Sequence, residues 1–365
     1  MPIIVDAHED LAWNALTFGR DYARPAHETR RLEVGSPAPA HNGNTLLGLD
    51  DYLRGQVAVI FSTLFVAPAR RKEGEWDTQV YVNAREAHRL CTTQLDHYHR
   101  FVDEHSPFTL IGNRQDLQNV LATWEPQSGE REERPRRIGL VPLMEGADAI
   151  LEPEEAAWWM ERGIRIVGLA WAGTRYAGGI GEPGPLTQEG RRLLHVMADL
   201  GLILDLAHAS DASYLEALDQ FEGTVMVSHA TARALVKNYR RPERLLSDEM
   251  IMRLAERGGV IGIMPHNDFL KPNWRRGDRK DAVTLDSVVA MIDHVCQVTG
   301  SAQHVGLGTD FDGGRGVECV PAELDTIADV QKVGPALRAQ GYTEEAIAAI
   351  LGRNWIQLLQ RGLPA

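Results

Sequence analysis

Eight short runs of apolar residues recur along the chain, and within each the apolar residues are largely continuous instead of alternating with polar ones. The runs are Ile3–Asp6, Val57–Val66, Ile138–Glu145, Arg165–Trp171, Leu202–His208, Thr224–Ala230, Val260–Pro265 and His304–Phe311. A strand with apolar side chains on both faces is buried on both, as in a parallel sheet covered by helices. Patterns of helical period fill most of the gaps. Asp77–Glu104 places Val80, Ala84, Ala87, Cys91, Leu95, Tyr98 and Val102 at three-to-four spacing, which predicts a long amphipathic helix. Pro153–Glu161 opens with proline and two acids, a favourable first turn. Thr187 and Gly201 bracket a helix over Thr187–Leu200, and Ser247 and Gly258 bracket one over Ser247–Arg257. Asp211–Asp219, Leu285–Val298, Ala322–Ala339, Thr343–Leu351 and Arg353–Gln360 complete the predicted helices.

Eight strands alternating with helices predict a (β/α)8 TIM barrel with inserted loops and extra C-terminal helices. No GxGxxG follows the first run, which argues against a dinucleotide-binding doubly wound sheet. The irregular stretches Phe18–Asn44, Trp124–Arg137 and Trp171–Pro185 read as inserts in one domain spanning residues 1–365. A net charge of −13 argues against nucleic acid or an anionic membrane surface as the main partner. The three cysteines, Cys91, Cys296 and Cys319, form neither a zinc-knuckle spacing nor a disulfide framework. No run approaches the roughly 18 apolar residues that span a bilayer, and no secretory pattern opens the chain. The expectation is a cytoplasmic protein without a membrane partner; whether it works alone or as a homodimer stays open.

The ends of the predicted strands carry the chemistry. They read His8 with Asp10, then Glu145, His208, His229 and Asp310. Barrel enzymes place reacting groups on this C-terminal rim, where strands hold them rigidly while loops vary. Taken singly, each residue has a plainer reading: His8 and Asp10 as a solvated loop start, His208 or His229 as a satisfied rim histidine, Glu145 as a cap. Taken together, three imidazoles and two carboxylates suit one or two zinc-like ions. Two metals roughly 3.5–4 Å apart need a bridging carboxylate, for which a glutamate on a central strand is apt. Such a pair brings a shared water towards hydroxide at pH 7. Asp310, in Gly306-Leu307-Gly308-Thr309-Asp310-Phe311-Asp312-Gly313-Gly314, then has a proton-transfer role open to it, while Asp312 reads as a turn residue. Asp6 precedes the ligands and is expected to orient them from behind.

The motifs Val5-Asp6-Ala7-His8-Glu9-Asp10-Leu11, Met144-Glu145-Gly146-Ala147, Leu204-Asp205-Leu206-Ala207-His208-Ala209-Ser210, Val227-Ser228-His229-Ala230 and Gly308-Thr309-Asp310-Phe311-Asp312-Gly313 stand in this order. Together they resemble the successive motifs of the membrane (renal) dipeptidase family, over residues 3 to beyond 350. The resemblance implies a barrel of the amidohydrolase type with two Zn2+ ions per chain. One ion would take His8, Asp10 and Glu145, and the other Glu145, His208 and His229. Asp310 would assist attack by the bridging hydroxide and protonate the leaving amine. The substrate would be a short peptide with a free C-terminal carboxylate, with an L-Xaa-D-Xaa dipeptide within reach.

The family's carboxylate-binding arginine lies eleven residues after the last histidine ligand, which is Arg240 here, with Arg241 next to it as the alternative. A guanidinium fork suits a carboxylate because it makes two parallel hydrogen bonds. Beyond the seventh strand, His266 and Asn267 either reach the substrate or cap the strand end. There is one departure: Trp171 stands where the renal enzyme has a histidine that holds the substrate carbonyl oxygen. Its indole N–H donates a hydrogen bond but takes no positive charge, leaving oxyanion stabilisation to the metal or to a donor such as Arg175. Trp171 therefore keeps a second reading alive, in which the same barrel hydrolyses another amide, lactam or ester such as an N-acyl amino acid.

Overall fold

The computed structural model describes residues 2–125 and 135–365, so most of the expected Trp124–Arg137 loop falls outside the described residues. Eight parallel strands close into a barrel: β1 (Ile4–Glu9), β2 (Val57–Phe65), β3 (Ile138–Glu145), β4 (Ile166–Gly168), β5 (Ile203–Asp205), β6 (Val225–Ala230), β7 (Ile261–Ile263) and β8 (Val305–Leu307). Each pairs with its sequence neighbour, β2 joining β3 across a long excursion whose strand Phe108–Leu110 also pairs with β3. The ring closes where Asp6 of β1 meets Leu307 of β8. All eight apolar runs form strands, and all eight strands are buried on both faces apart from the last residue of β2.

The strands differ from the predicted runs at their ends. β1 extends to Glu9, whereas β4, β5, β7 and β8 keep only three paired residues each. Past β5 and β8 the cause is local: His208 and Asp310 adopt left-handed backbone conformations, with φ of 65° and 54°. A residue there cannot continue a β ladder, so the chain turns over the barrel mouth. Inside the barrel, Gly262 and Gly308 face the Ser228 carbonyl, and a Cβ at either position would lie 1.9 and 1.8 Å from that oxygen. Only glycine lets β6, β7 and β8 approach so closely.

The predicted amphipathic helix begins at Ala84, because the Asn83 side chain accepts from the Glu86 N–H and fixes the start. Val80 belongs instead to a short strand, Val80–Tyr81, paired with Ala67–Pro68. Within Phe18–Asn44 lie two short helices, Ala26–Leu32 and Ala38–His41. They are tied to the barrel by Asp312, which is fully buried with φ of 63°. Its carboxylate accepts from Tyr22 Oη at 2.9 Å and Leu46 N–H at 3.0 Å, takes the Thr45 hydroxyl, and lies 3.1 Å from Arg20 Nη1. Asp312 is thus a turn residue, as expected, and also the anchor of the insert. At the C-terminus, Trp355 Nε1 donates to the Leu307 carbonyl at 3.0 Å and Asn354 to the Val305 carbonyl at 2.8 Å, fastening the last helix to β8.

Candidate active site

Alternation along β1 turns His8 and Asp10 to the same side, and the barrel brings the other strand ends to meet them. His8 Nε2 lies 3.6 Å from Glu145 Oε2 and 3.9 Å from both Asp10 Oδ1 and Asp310 Oδ1. On the other side, Glu145 Oε1 lies 2.9 Å from His208 Nε2 and 3.8 Å from His229 Nε2. Those two imidazole nitrogens are themselves 2.7 Å apart. All five expected metal-ligating residues and Asp310 therefore converge in one buried cluster, and Glu145 directs one oxygen to each half.

A second layer holds these groups, and the sequence reading largely missed it. Ser228 donates its hydroxyl proton to Asp205 Oδ2 at 2.5 Å, and Asp205 Oδ1 also accepts from Ser228 N–H at 2.9 Å. With that proton committed, the Ser228 oxygen accepts from His229 Nδ1, 2.9 Å away. The proton then sits on Nδ1 of His229 and its Nε2 lone pair faces the cluster, the tautomer a metal ligand needs. His8 Nδ1 lies 3.4 Å from the same hydroxyl. Asp6, expected to orient the ligands from behind, accepts from the His8 N–H at 3.4 Å, from the Thr309 N–H at 2.7 Å and from the Thr309 hydroxyl. It steadies the backbone at His8 and before Asp310, while Ser228 meets the imidazoles of His8 and His229. Thr63 donates to Asp10 Oδ1. The serine and aspartate before the histidines were visible as motif letters, but no spacing rule links residues 205 and 228.

Burial shapes the charges. It raises the Glu145 carboxyl to about 8 and that of Asp310 to about 8, the latter helped by the neighbouring Asp10 and Glu145 carboxylates. Asp10 is raised to about 6 by burial and by Glu145. Burial, followed by nearby positive groups with Arg244 among them, holds His208, His229 and His266 well below the usual imidazole range. These three imidazoles are thus neutral, the state in which an imidazole ligates metal.

The remaining expected residues divide. Trp171 stands at the rim with its ring 6.3 Å from that of His208 and 5.2 Å from that of Phe65. His266 is fully buried, with Nδ1 3.7 Å from Asp310 Oδ2 and neither ring nitrogen hydrogen-bonded. Asn267 donates to the Val320 carbonyl at 3.1 Å, in the segment after β8. Arg175 donates to Tyr176 Oη at 2.6 Å and to the carbonyls of Ile150 and Leu151, so it is spent away from the cluster.

Arg240 is exposed, and Arg241 belongs to the turn before Pro242. The guanidinium that enters the site is that of Arg244, fifteen residues after His229 instead of eleven. It is buried, donates to the His229 carbonyl at 3.1 Å, lies over the Phe269 ring at 5.4 Å, and feels the carboxylates of Asp310 and Glu145. Counting from the histidine went astray because the loop stays outside until the 3-10 turn Pro242–Arg244. The chain regains the rim only with the bridge between Ala232 and Leu246.

A closed (β/α)8 barrel with imidazoles and carboxylates gathered on its C-terminal rim defines a metal-dependent barrel hydrolase. A profile of the membrane dipeptidase family (peptidase family M19) matches residues 1–361, and the chain belongs to that family. Curated relatives include a Klebsiella pneumoniae protein in the pqqA 5′ region, 28% identical over 63% of this chain and 84% of its own length. A Claviceps purpurea dipeptidase is 31% identical over 54% of this chain and 44% of its own length. The match to a dipeptidase of Schizosaccharomyces pombe, also 31% identical, spans 47% of this chain and 39% of that protein. The chain thus spans less than half the length of these two dipeptidases. Among solved structures, a metallopeptidase from Rhodobacter sphaeroides liganded with a phosphinate mimic of L-Ala-D-Ala shares the fold. Its TM-score is 0.78 at 20% identity, over 99% of this chain and all of that one. An M19 dipeptidase structure gives 0.77 at 21% identity, over 100% of this chain and 99% of that one.

Proposed function

We propose that this chain is a zinc-dependent dipeptidase with two metal ions, cleaving dipeptides that carry a free C-terminal carboxylate, L-Xaa-D-Xaa dipeptides among them. The observation that carries the reading is the pairing of the His8–Asp10–Glu145–His208–His229 cluster with a buried arginine, Arg244, on the same rim. The donor set fits metal: His8 Nε2 is buried with no hydrogen-bond partner, and His208 and His229 turn their Nε2 atoms, 2.7 Å apart, towards Glu145 Oε1. The harder carboxylate oxygens of Asp10 and Glu145 complete a mixture of nitrogen and oxygen suited to zinc. His8, Asp10 and Glu145 would hold one ion, and Glu145, His208 and His229 the other. Bound there, the ions would polarise the scissile carbonyl and lower the pKa of water.

The protein groups do the rest. Arg244 fixes the substrate carboxylate on the arc of the rim formed after β6 and β7, with His266 beside it. Asp310, 3.9 Å from His8 Nε2 and 3.7 Å from His266 Nδ1, takes a proton as the nucleophile attacks and returns it to the departing amine. One catalytic domain spans residues 1–365 in this reading. Free Cys91, Cys296 and Cys319 support a reducing cytoplasmic setting, and no helix among the described residues is long and apolar enough to cross a membrane.

The test is hydrolysis by zinc-loaded protein of a panel of L,L- and L,D-dipeptides beside N-acyl amino acids, with metal content measured. Release of amino acids from dipeptides, lost at least about a thousandfold in Asp310→Asn with zinc retained, is the expected result. Fully loaded protein that cleaves no dipeptide refutes the reading.

A further inference from the structure

One arc of the rim is lined with aromatic rings that neither the metal cluster nor Arg244 uses. From His208 outwards, Trp171 stands 5.2 Å from Phe65, Phe65 6.3 Å from Trp13, and Trp13 6.2 Å from Trp76. Trp76 stacks on Phe18 at 5.6 Å and on His41 at 4.6 Å. These rings arrive from separate excursions, after β1, after β2 and after β4, yet they make one continuous surface. Trp13 is buried and backs it, while the other five stay partly open. Packing alone does not call for that: the core aromatics Trp159 and Trp355 are wholly covered. On the loops after β2 and β4, Arg70 and Arg71 share the single carboxylate of Glu182, at 2.6 and 3.0 Å.

The barrel order sets the direction of a bound substrate. Arg244 and His266 follow β6 and β7, whereas Phe65 and Trp171 follow β2 and β4, so the two groups face each other across the mouth. With the carboxylate at Arg244 and the scissile carbonyl over the metal cluster, the amino-terminal residue extends towards the rings. We propose that this aromatic arc is the subsite for the first residue of the dipeptide and that it selects a large aromatic or branched aliphatic side chain. The inference rests on the dipeptidase reading and adds the class of substrate. A phenyl ring buried against such a wall in place of a methyl group favours Phe over Ala at the first position by roughly 30- to 100-fold in kcat/KM.

The experiment measures kcat/KM of zinc-loaded protein for Ala-Ala, Leu-Ala, Phe-Ala and Trp-Ala, with Ala-Phe as the reversed control. A rise of about 30-fold from Ala-Ala to Phe-Ala, with Ala-Phe showing no such gain, is expected. Phe65→Leu and, independently, Trp171→His should each cut the Phe-Ala to Ala-Ala ratio at least about fivefold. Either variant serves if the other fails to fold. Cleavage of all four peptides at similar kcat/KM, or a preference that follows the second residue, overturns the aromatic subsite and leaves the dipeptidase reading standing. Failure to cleave any of them overturns both.

Discussion

Replacing Arg244 with alanine separates the carboxylate-reading role from every other function of the rim. The guanidinium is buried, so a substrate carboxylate meeting it is desolvated and held by charge-assisted hydrogen bonds. Two such bonds at roughly 1.5–2 kcal/mol each amount to about 3–4 kcal/mol, or 10²- to 10³-fold in kcat/KM. The same side chain also donates to the His229 carbonyl at 3.1 Å, so its removal could disturb the metal cluster as well. The assay therefore pairs a dipeptide with the matching dipeptide amide, which lacks the free carboxylate, and records zinc content for each variant. Arg244→Ala should lower the dipeptide-to-amide ratio of kcat/KM by at least about 100-fold, and Arg244→Lys should recover part of the loss by restoring a point charge. Arg240→Ala, at an exposed position, should change it less than about twofold. If dipeptide and amide fall together in Arg244→Ala, or if Arg240→Ala causes the larger loss, the assignment is wrong.

Two further outcomes follow from the same geometry. Asp205→Ala removes the acceptor that commits the Ser228 proton, freeing His229 to change tautomer; zinc affinity should drop about 10- to 100-fold in chelator competition, and an unchanged affinity would remove Ser228 and Asp205 from the supporting layer. Metal-stripped protein should lose thermal stability between about pH 7 and 9. In that window His208, His229 and His266 are neutral both folded and unfolded, whereas Glu145 and Asp310, raised to about 8, still hold protons that the unfolded chain has released. Their contribution, a few kcal/mol present at low pH, disappears as pH rises through about 8. Zinc should flatten the profile by taking the place of those protons, and a stripped protein whose melting temperature stays level or climbs over this window would contradict the raised values.

The order of the barrel strands, the closed parallel barrel and the identities of the clustered residues were legible in the chain, because each follows from local pattern. Continuous apolar runs report strands buried on both faces, and a polar residue at the end of such a run has only the barrel mouth to point into. His8 and Asp10 two residues apart on a strand end are a local fact. Their meeting with Glu145, His208 and His229 follows once eight strands are known to close. The features that only tertiary structure decided share one physical trait: they depend on how far a loop travels before it returns. Eleven residues past His229 led to exposed Arg240, while the loop re-entered at Arg244. The hydroxyl of Ser228 reached two imidazoles because the carboxylate of Asp205 on the neighbouring strand held it, and Asp6 was left to fix Thr309. The aromatic arc is the extreme case, its rings scattered over residues 13 to 171 with no spacing to announce them. The local pattern chose the residues of the cluster; the loop paths chose what lies opposite them.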